Sequence, residues 1–204
     1  MPDSEQLIHH QKLKVRQLHE IGEWLGYETR NKYEFLDFND KQIAFAAEQS
    51  KGIIGFFLRQ IFGHWRQFDL FFYTPDRQIF IVGHHPFRWF FSRIEVVDKE
   101  GRYLGAIQKR FSILTKRFDI ENNKGTVIME VASPIWKLWT FIFKHQGKPI
   151  AAVHKKWSGL ISEAFTDRDN FMIEFTSSDL SNDERKIVMT SSLFIDLIYF
   201  EKKR

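Results

Sequence analysis

Three stretches of the sequence interleave aromatic side chains with arginine or lysine, a combination suited to the surface of a membrane. Tryptophan and phenylalanine partition into the headgroup region of a bilayer, where neighbouring cations meet lipid phosphate. The candidate membrane-binding residues are Phe56, Phe57, Trp65, Arg66, Phe87, Arg88, Trp89, Trp136, Lys137 and Trp139. We expect them to bind anionic phospholipids or phosphoinositides. The alternative, that side chains in these stretches face a protein core, is favoured for Phe90 and Phe91 and is left open for Trp89 and Trp136.

Covalent catalysis has little support in the sequence. The chain has no glycine-rich phosphate loop, no His-Glu-x-x-His pair and no nucleophile elbow. His84 and His85 are adjacent, and neighbours on a strand point to opposite faces, so a shared metal ion is not expected. The absence of cysteine excludes disulfides and thiolate metal sites in this chain. We therefore predict a protein that binds and does not act as an enzyme.

Paired basic residues offer a second kind of partner. The pairs are Lys109-Arg110, Lys116-Arg117 and Lys155-Lys156, each close to aromatic residues. Such a pattern is typical of nucleic-acid surfaces, but it would serve anionic lipid equally well. The net charge is only +4, which is weak support for a polyanionic partner. Nucleic acid is therefore the alternative to lipid.

The element most able to organise these residues is a terminal helix predicted over residues 183–200. Its apolar side chains cover every side, so the helix must be buried. The apolar part, 187–200, is 14 residues long. A helix of that length spans about 21 Å, which is short of the roughly 30 Å of a bilayer core. Asp196 also disfavours lipid, and we predict that the helix is enclosed by protein.

The chain before this helix divides into two parts. Residues 1–30 are predicted to form an N-terminal helical segment, because an apolar stripe runs along 5–25 and Gly26 can end a helix. Residues 31–204 are predicted to form the main domain, in which short alternating runs are separated by turn residues. The turns are predicted at 39–40, 75–76, 99–101, 121–125 and 146–148.

The alternating runs also repeat, because the order of motifs in 68–112 recurs in 118–158. Repeated antiparallel units must stack or close to protect their edges. A mainly β fold, closed as a barrel around the terminal helix, satisfies both the strands and the helix.

Long runs of the sequence resemble the phospholipid scramblase family over nearly the whole chain. The matching runs are 7–11, 26–34, 44–48, 156–171 and 194–201. The family is related to tubby-like and LURP-one-related proteins, so the resemblance implies a 12-stranded antiparallel barrel around a central hydrophobic C-terminal helix. It also implies calcium-stimulated, ATP-independent movement of phospholipid between leaflets. The tubby-like relatives imply the alternative of a phosphoinositide-binding adaptor.

The chain departs from its eukaryotic relatives in the loops of the repeats. The resemblance would place acylated cysteine clusters there, whereas this chain has the aromatic and basic residues named above. We predict that direct insertion of aromatic side chains replaces the lipid anchor. The expected localisation is cytoplasmic, with peripheral membrane association.

The resemblance also implies an EF-hand-like Ca²⁺ site that begins at Asp167. The residues fit such a loop poorly, because Met172 occupies the position that needs glycine and Ser178 the position that needs a bidentate carboxylate. Asp167 and Asp169, with Asp179 if the loop folds back, remain as candidates for a weak Ca²⁺ site. The competing interpretation is a pair of carboxylates in a solvated turn.

Overall fold

The computed structural model describes residues 10–18, 31–49, 67–133, 139–155 and 171–200, and these form twelve strands and one helix. The strands are Lys12–Leu18 (β1), Lys32–Leu36 (β2), Gln42–Gln49 (β3), Phe68–Tyr73 (β4), Ile79–His85 (β5), Arg93–Asp98 (β6), Tyr103–Arg110 (β7), Lys116–Asn122 (β8), Val127–Ser133 (β9), Thr140–His145 (β10), Lys148–Lys155 (β11) and Phe171–Phe175 (β12). The helix, α1, is Asn182–Tyr199.

The strands form one closed antiparallel barrel. Each pairs with its neighbours in chain order, and β1 closes the barrel by pairing with both β2 and β12. Lys14 of β1, for example, lies opposite Leu36 on one side and Met172 on the other. Closure leaves no sheet edge unpaired. The predicted fold class, a 12-stranded antiparallel barrel around a C-terminal helix, is confirmed.

Side chains alternate between the two faces of the barrel wall. In β6, Ile94 and Val96 are buried and Arg93 and Glu95 are only partly so. The inward side chains form one core with the helix. The largest fully buried side chains include Tyr33, Phe35, Phe72, Phe118, Phe141, Phe143, Phe171 and Phe194. Ten of the chain's 22 phenylalanines therefore lie in this core.

Helix α1 runs along the barrel interior. Ser181 and Glu184 form a capping box, in which the Glu184 N–H donates to Ser181 Oγ and the Ser181 N–H donates to Glu184 Oε2. Every residue from 185 to 197 is buried, as predicted for a helix that is apolar all round. Among the residues that the structure describes, no helix combines the length and the apolarity needed to cross a bilayer.

Two glycines give the helix room to approach the wall. A Cβ on Gly83 would lie 2.9 Å from both Ile94 Cδ1 and Thr190 Cγ2, and one on Gly105 would lie 2.8 Å from Ile187 Cδ1. The helix lies nearest to β6 and β7, beside these two positions. The missing side chains on the wall are therefore what allow the close contact.

The barrel has two unlike rims. The turn rim carries the five hairpin turns, each where the sequence predicts one, and the N-terminus of α1. The loop rim carries the other inter-strand connections and the C-terminus of α1. The described parts of these connections are 86–92 and 111–115, together with the ends flanking 19–30, 50–66, 134–138 and 156–170. The predicted membrane-binding residues that the structure describes, Phe87, Arg88, Trp89 and Trp139, lie on this loop rim.

The N-terminal helix predicted over 5–25 is wrong for residues 12–18, which form β1. Leu13 and Val15 point into the core and are fully buried. Lys12, Lys14 and Arg16 form ion pairs on the barrel wall, with Glu174, Asp40 and Glu34 respectively. Pairing with two distant strands thus overrides the local helical pattern. Residues 10 and 11 are not helical either, and the rest of the N-terminal helical segment predicted over 1–30, namely 1–9 and 19–30, lies outside the described residues.

Candidate membrane-binding site

Two neighbouring loops of the loop rim expose large apolar side chains. We call residues 86–92, between β5 and β6, and 111–115, between β7 and β8, the rim loops. Their exposed side chains are Phe87, Trp89, Phe90, Phe91, Phe111, Ile113 and Leu114. These are seven of the eleven large hydrophobic side chains that the described residues expose. Such a concentration on one rim marks an interaction surface.

The exposure is high at the tips of both loops. Phe90 is 89% exposed and Ile113 is 85% exposed. The backbone of the first rim loop is nevertheless tied to the barrel. Gln108 Nε2 donates to the carbonyl oxygens of Phe91 and Ser92, and the Lys109 N–H donates to Ser92 O at 2.9 Å. The apolar tip of this loop therefore projects from a fixed base.

Behind the rim loops, three lysines reach the last turn of α1. Lys109 Nζ lies 5.0 Å from the centre of the Tyr199 ring, and Lys155 Nζ lies 4.5 Å from that of Phe200. Lys116 Nζ lies within 5.7 Å of four ring centres, the nearest being Phe200 at 4.3 Å. We call this group the lysine–aromatic cluster; it consists of Lys109, Lys116, Lys155, Trp139, Phe141, Tyr199 and Phe200.

Burial perturbs several groups of this cluster. It lowers the pKa of the Lys109 ammonium. Burial, and after it the charge of Lys155, lowers the pKa of the Lys116 ammonium. Burial also raises the pKa of the Tyr199 phenol to about 12, so the phenol stays neutral. The cluster is therefore a partly desolvated group of cations at the mouth of the barrel.

One of the three lysines has a carboxylate partner. Lys155 Nζ donates to Asp196 Oδ1, and the Tyr33 hydroxyl donates to Asp196 Oδ2 at 2.9 Å. Asp196 is 4% exposed, so both hydrogen bonds belong to the interior. Among the described residues, no carboxylate lies within 4.0 Å of the Lys109 or Lys116 ammonium. Rings and the negative end of the α1 dipole compensate their charge in part.

Comparison with known proteins now identifies the family, since residues 2–202 match the family model described as Scramblase. The chain belongs to the scramblase family. The family predicted from the sequence runs is thereby confirmed.

Individual relatives of this scramblase-family chain are distant and longer. A phospholipid scramblase family protein of Schizosaccharomyces pombe is 24% identical over 92% of this chain and 58% of the relative. Human phospholipid scramblase 1 is 26% identical over 97% of this chain and 63% of the relative. The altered inheritance rate of mitochondria protein 25 of Saccharomyces cerevisiae is 21% identical over 92% of this chain and 69% of the relative. The chain thus spans about three fifths of the first two relatives. No solved structure matches it.

The predicted membrane-binding residues fall into three groups in this scramblase-family protein. Phe87, Arg88 and Trp89 are exposed on a rim loop, as the prediction requires. Trp139 is half-buried and lies against Phe200, with 4.8 Å between the ring centres. The other six, Phe56, Phe57, Trp65, Arg66, Trp136 and Lys137, lie outside the described residues. Membrane binding by any of them stays a prediction.

The structure changes the expectation for five other side chains. The preference for a core position is wrong for Phe90 and Phe91, because both are exposed. Sequence analysis also missed Phe111, Ile113 and Leu114. Their exposure could have been predicted from the sequence. They lie on a short connection between the basic pairs Lys109-Arg110 and Lys116-Arg117, where no neighbouring strand can bury them.

The basic pairs do not form one outer surface. Strand alternation turns Lys109 and Lys116 towards the helix and leaves Arg110 and Arg117 outside. Arg110 forms an ion pair with Asp119 at 2.6 Å. The nucleic-acid alternative stays a prediction, and the described wall presents no continuous row of basic pairs to support it.

The predicted Ca²⁺ site is only partly described. Asp167 and Asp169 lie outside the described residues, and Asp179 is exposed beyond the turn-rim end of β12. Strand β12 occupies the middle of the predicted loop, and an extended strand does not wrap an ion. No group of three metal-binding side chains occurs within the described ranges. The residues that can be assessed do not fit an EF-hand.

His84 and His85 point to opposite sides of the wall, as predicted. His84 Nδ1 lies 2.9 Å from Asp69 Oδ1, while the His85 ring packs inside against Phe194 and Phe68. The two imidazoles are therefore separated by the barrel wall.

Proposed function

We propose that this protein docks peripherally on membranes that contain anionic phospholipid, with the loop rim towards the bilayer. The observation that carries the proposal is the concentration of exposed apolar side chains on the rim loops. Insertion would remove these side chains from water, and each large side chain fully buried contributes about 1.5–3 kcal/mol. A membrane is the favoured binding partner of the rim loops because their exposed apolar side chains lie beside exposed cations.

The charge around the rim loops suits a lipid surface. Arg88 lies among the exposed aromatic side chains, and Arg117 is exposed on β8 just below the second rim loop. A basic residue near an anionic membrane surface contributes about 1 kcal/mol. Aromatic side chains with adjacent cations match the headgroup layer, where apolar and charged groups meet.

We further propose the activity that the relatives' names suggest, namely movement of phospholipid between leaflets. From the resemblance of the sequence we expect this movement to be stimulated by Ca²⁺ and independent of ATP. Such movement breaks no covalent bond. The helix and inward side chains fill the described barrel interior. Lipid would therefore pass beside the protein, in bilayer disturbed by the inserted rim loops, and not through the barrel.

Removing the apolar tips is expected to abolish docking. The variant Trp89→Ser/Phe90→Ser/Ile113→Ser/Leu114→Ser should bind vesicles of phosphatidylcholine and phosphatidylserine at least about tenfold more weakly, because four insertable side chains are lost. Flotation of vesicles on a density gradient measures this. All four positions are exposed, so the fold should be retained.

The matched control removes exposed apolar side chains from the opposite rim. Phe38 and Val127 are both exposed at the turn rim, and the variant Phe38→Ser/Val127→Ser should float as the parent does. Equal loss in both variants, or unchanged binding in the rim-loop variant, would show that the loop rim is not the docking surface.

Lipid movement needs its own assay. Fluorescent phospholipid in proteoliposomes is reduced by external dithionite, so the fraction reduced rises from about one half when lipid crosses the bilayer. We expect this rise with the parent protein, a larger one with Ca²⁺, and none with the rim-loop variant. Docking without any rise would favour the phosphoinositide-binding adaptor.

The calcium site is tested separately by calorimetry. No heat of Ca²⁺ binding to the parent protein, or the same heat with the variant Asp167→Ala/Asp169→Ala, would contradict a Ca²⁺ site at these residues.

A further inference from the structure

We propose that Lys109 and Lys116 form a binding site for the phosphate of a phospholipid headgroup at the mouth of the barrel. The proposal deepens the proposed function and rests on it, because it needs the loop rim to face the membrane. It concerns the inward face of β7 and β8 and is separate from the apolar tips of the rim loops.

Among the residues that the structure describes, no carboxylate neutralises the Lys109 or Lys116 ammonium group. Lys155 of the lysine–aromatic cluster has Asp196 as a partner, whereas Lys109 and Lys116 face rings. The wall just outside differs, because Arg93 pairs with Glu121 at 2.8 Å and Arg110 with Asp119. A partly desolvated cation without a carboxylate is stabilised by a ligand anion more than an exposed one is.

The position of the two lysines also suits a lipid phosphate. Lys109 and Lys116 flank the second rim loop, 111–115, whose side chains Phe111, Ile113 and Leu114 are exposed. Lys109 lies opposite Phe118 in the second-to-last residue pair of the β7–β8 ladder, and Lys116 directly precedes Arg117 of the last pair, on the side of the loop. When the loop tip enters the apolar part of the bilayer, the ammonium groups lie at the depth of the lipid phosphates.

The aromatic rings of the lysine–aromatic cluster keep the site in place. Four rings surround the Lys116 ammonium and hold it at the last turn of α1. Cation–π contacts fix an ammonium group without neutralising its charge. The site is thus held in place before a ligand arrives, which lowers the entropic cost of binding.

A water-soluble lipid tests the site without a membrane. Dihexanoyl phosphatidic acid, below its critical micelle concentration and at low salt, is titrated into the full chain labelled with ¹³C at lysine Cε. The four rings should give Lys116 a ring-current-shifted signal, assigned by its loss in Lys116→Met. We expect this signal to move and saturate. A signal that does not move would overturn the proposal, whatever the behaviour of any variant.

Paired variants locate the binding. Lys109→Met/Lys116→Met keeps the apolar stems and should bind the probe at least about tenfold more weakly by calorimetry, since two charge-assisted hydrogen bonds are lost. The control Lys124→Met/Lys148→Met removes the same charge from exposed turn-rim positions and should bind like the parent. Equal weakening in both would indicate non-specific attraction and overturn the site.

The source of the phosphate is decided by a second titration. Inorganic phosphate should bind more weakly than dihexanoyl phosphatidic acid, because a lipid also contacts the neighbouring apolar side chains. Equal affinity would overturn the assignment to lipid. Saturable probe binding with failed flotation would contradict only membrane docking, and flotation without probe binding would contradict only this site.

Discussion

Substitution of Gly105 by alanine is expected to lower the free energy of unfolding by more than about 3 kcal/mol. A Cβ at this position would lie 2.1 Å from the carbonyl oxygen of Glu121, which belongs to the paired strand β8, and 2.8 Å from Ile187 Cδ1 of the helix. The backbone at Gly105 also has φ +155°, which disfavours any side chain. Relief would require β7 to move away from both β8 and α1. Urea unfolding followed by circular dichroism measures the loss.

Gly101→Ala is the matched control for this variant. Gly101 has φ +80° on the turn before β7, but nothing lies within 4 Å of its added Cβ. Its substitution should cost only the left-handed backbone conformation, about 1 kcal/mol. Similar losses in the two variants would show that contact with the wall and the helix is not what Gly105 provides.

Replacement of Asp196 by alanine is expected to destabilise the fold by about 3 kcal/mol. The substitution leaves the Lys155 ammonium and the Tyr33 hydroxyl without their acceptor, and breaking a buried ion pair costs about 3–5 kcal/mol. The Lys155 side chain is 21% exposed, so the lower end of that range applies. Thermal and urea unfolding give the change in free energy.

Two comparisons separate the buried pair from a general effect of charge. Asp183 lies on the same helix, and its pair with Arg102 is solvent-exposed, so Asp183→Ala should cost no more than about 1 kcal/mol. The triple variant Tyr33→Phe/Lys155→Met/Asp196→Leu removes all three polar groups together and should recover part of the stability lost in Asp196→Ala. No recovery would mean that the volume of Asp196, and not its bonds, supports the core.

The sequence was sufficient to predict the elements that carry a strong local signal. Helix α1 could be predicted because it is apolar on every side and has a strong capping signal at its start. The hairpin turns could be predicted from residues that favour turns. Strand β1 could not, because Leu13 and Val15 acquire their burial from β2 and β12, and that pairing is invisible in a local window.

The candidate site was only half predictable, for a related reason. Aromatic content and neighbouring cations identified the first rim loop, but a linear pattern does not show whether Phe90 faces a core or solvent. The inward direction of Lys116 was available from alternation, because it lies two residues before Phe118 on the same strand. Strand alternation does not predict the contact between Lys116 and Tyr199, because that contact depends on where α1 ends inside the barrel.

The enclosed helix is the last described element of the chain, and this order has a consequence for biosynthesis. A ribosome releases all twelve strands before helix α1, which fills the barrel. Strand β1 cannot pair with its closing partner until β12 has emerged. The nascent chain therefore exposes the apolar inner face of an incomplete barrel for most of its translation. We expect the nascent chain to depend on chaperones until α1 has been made.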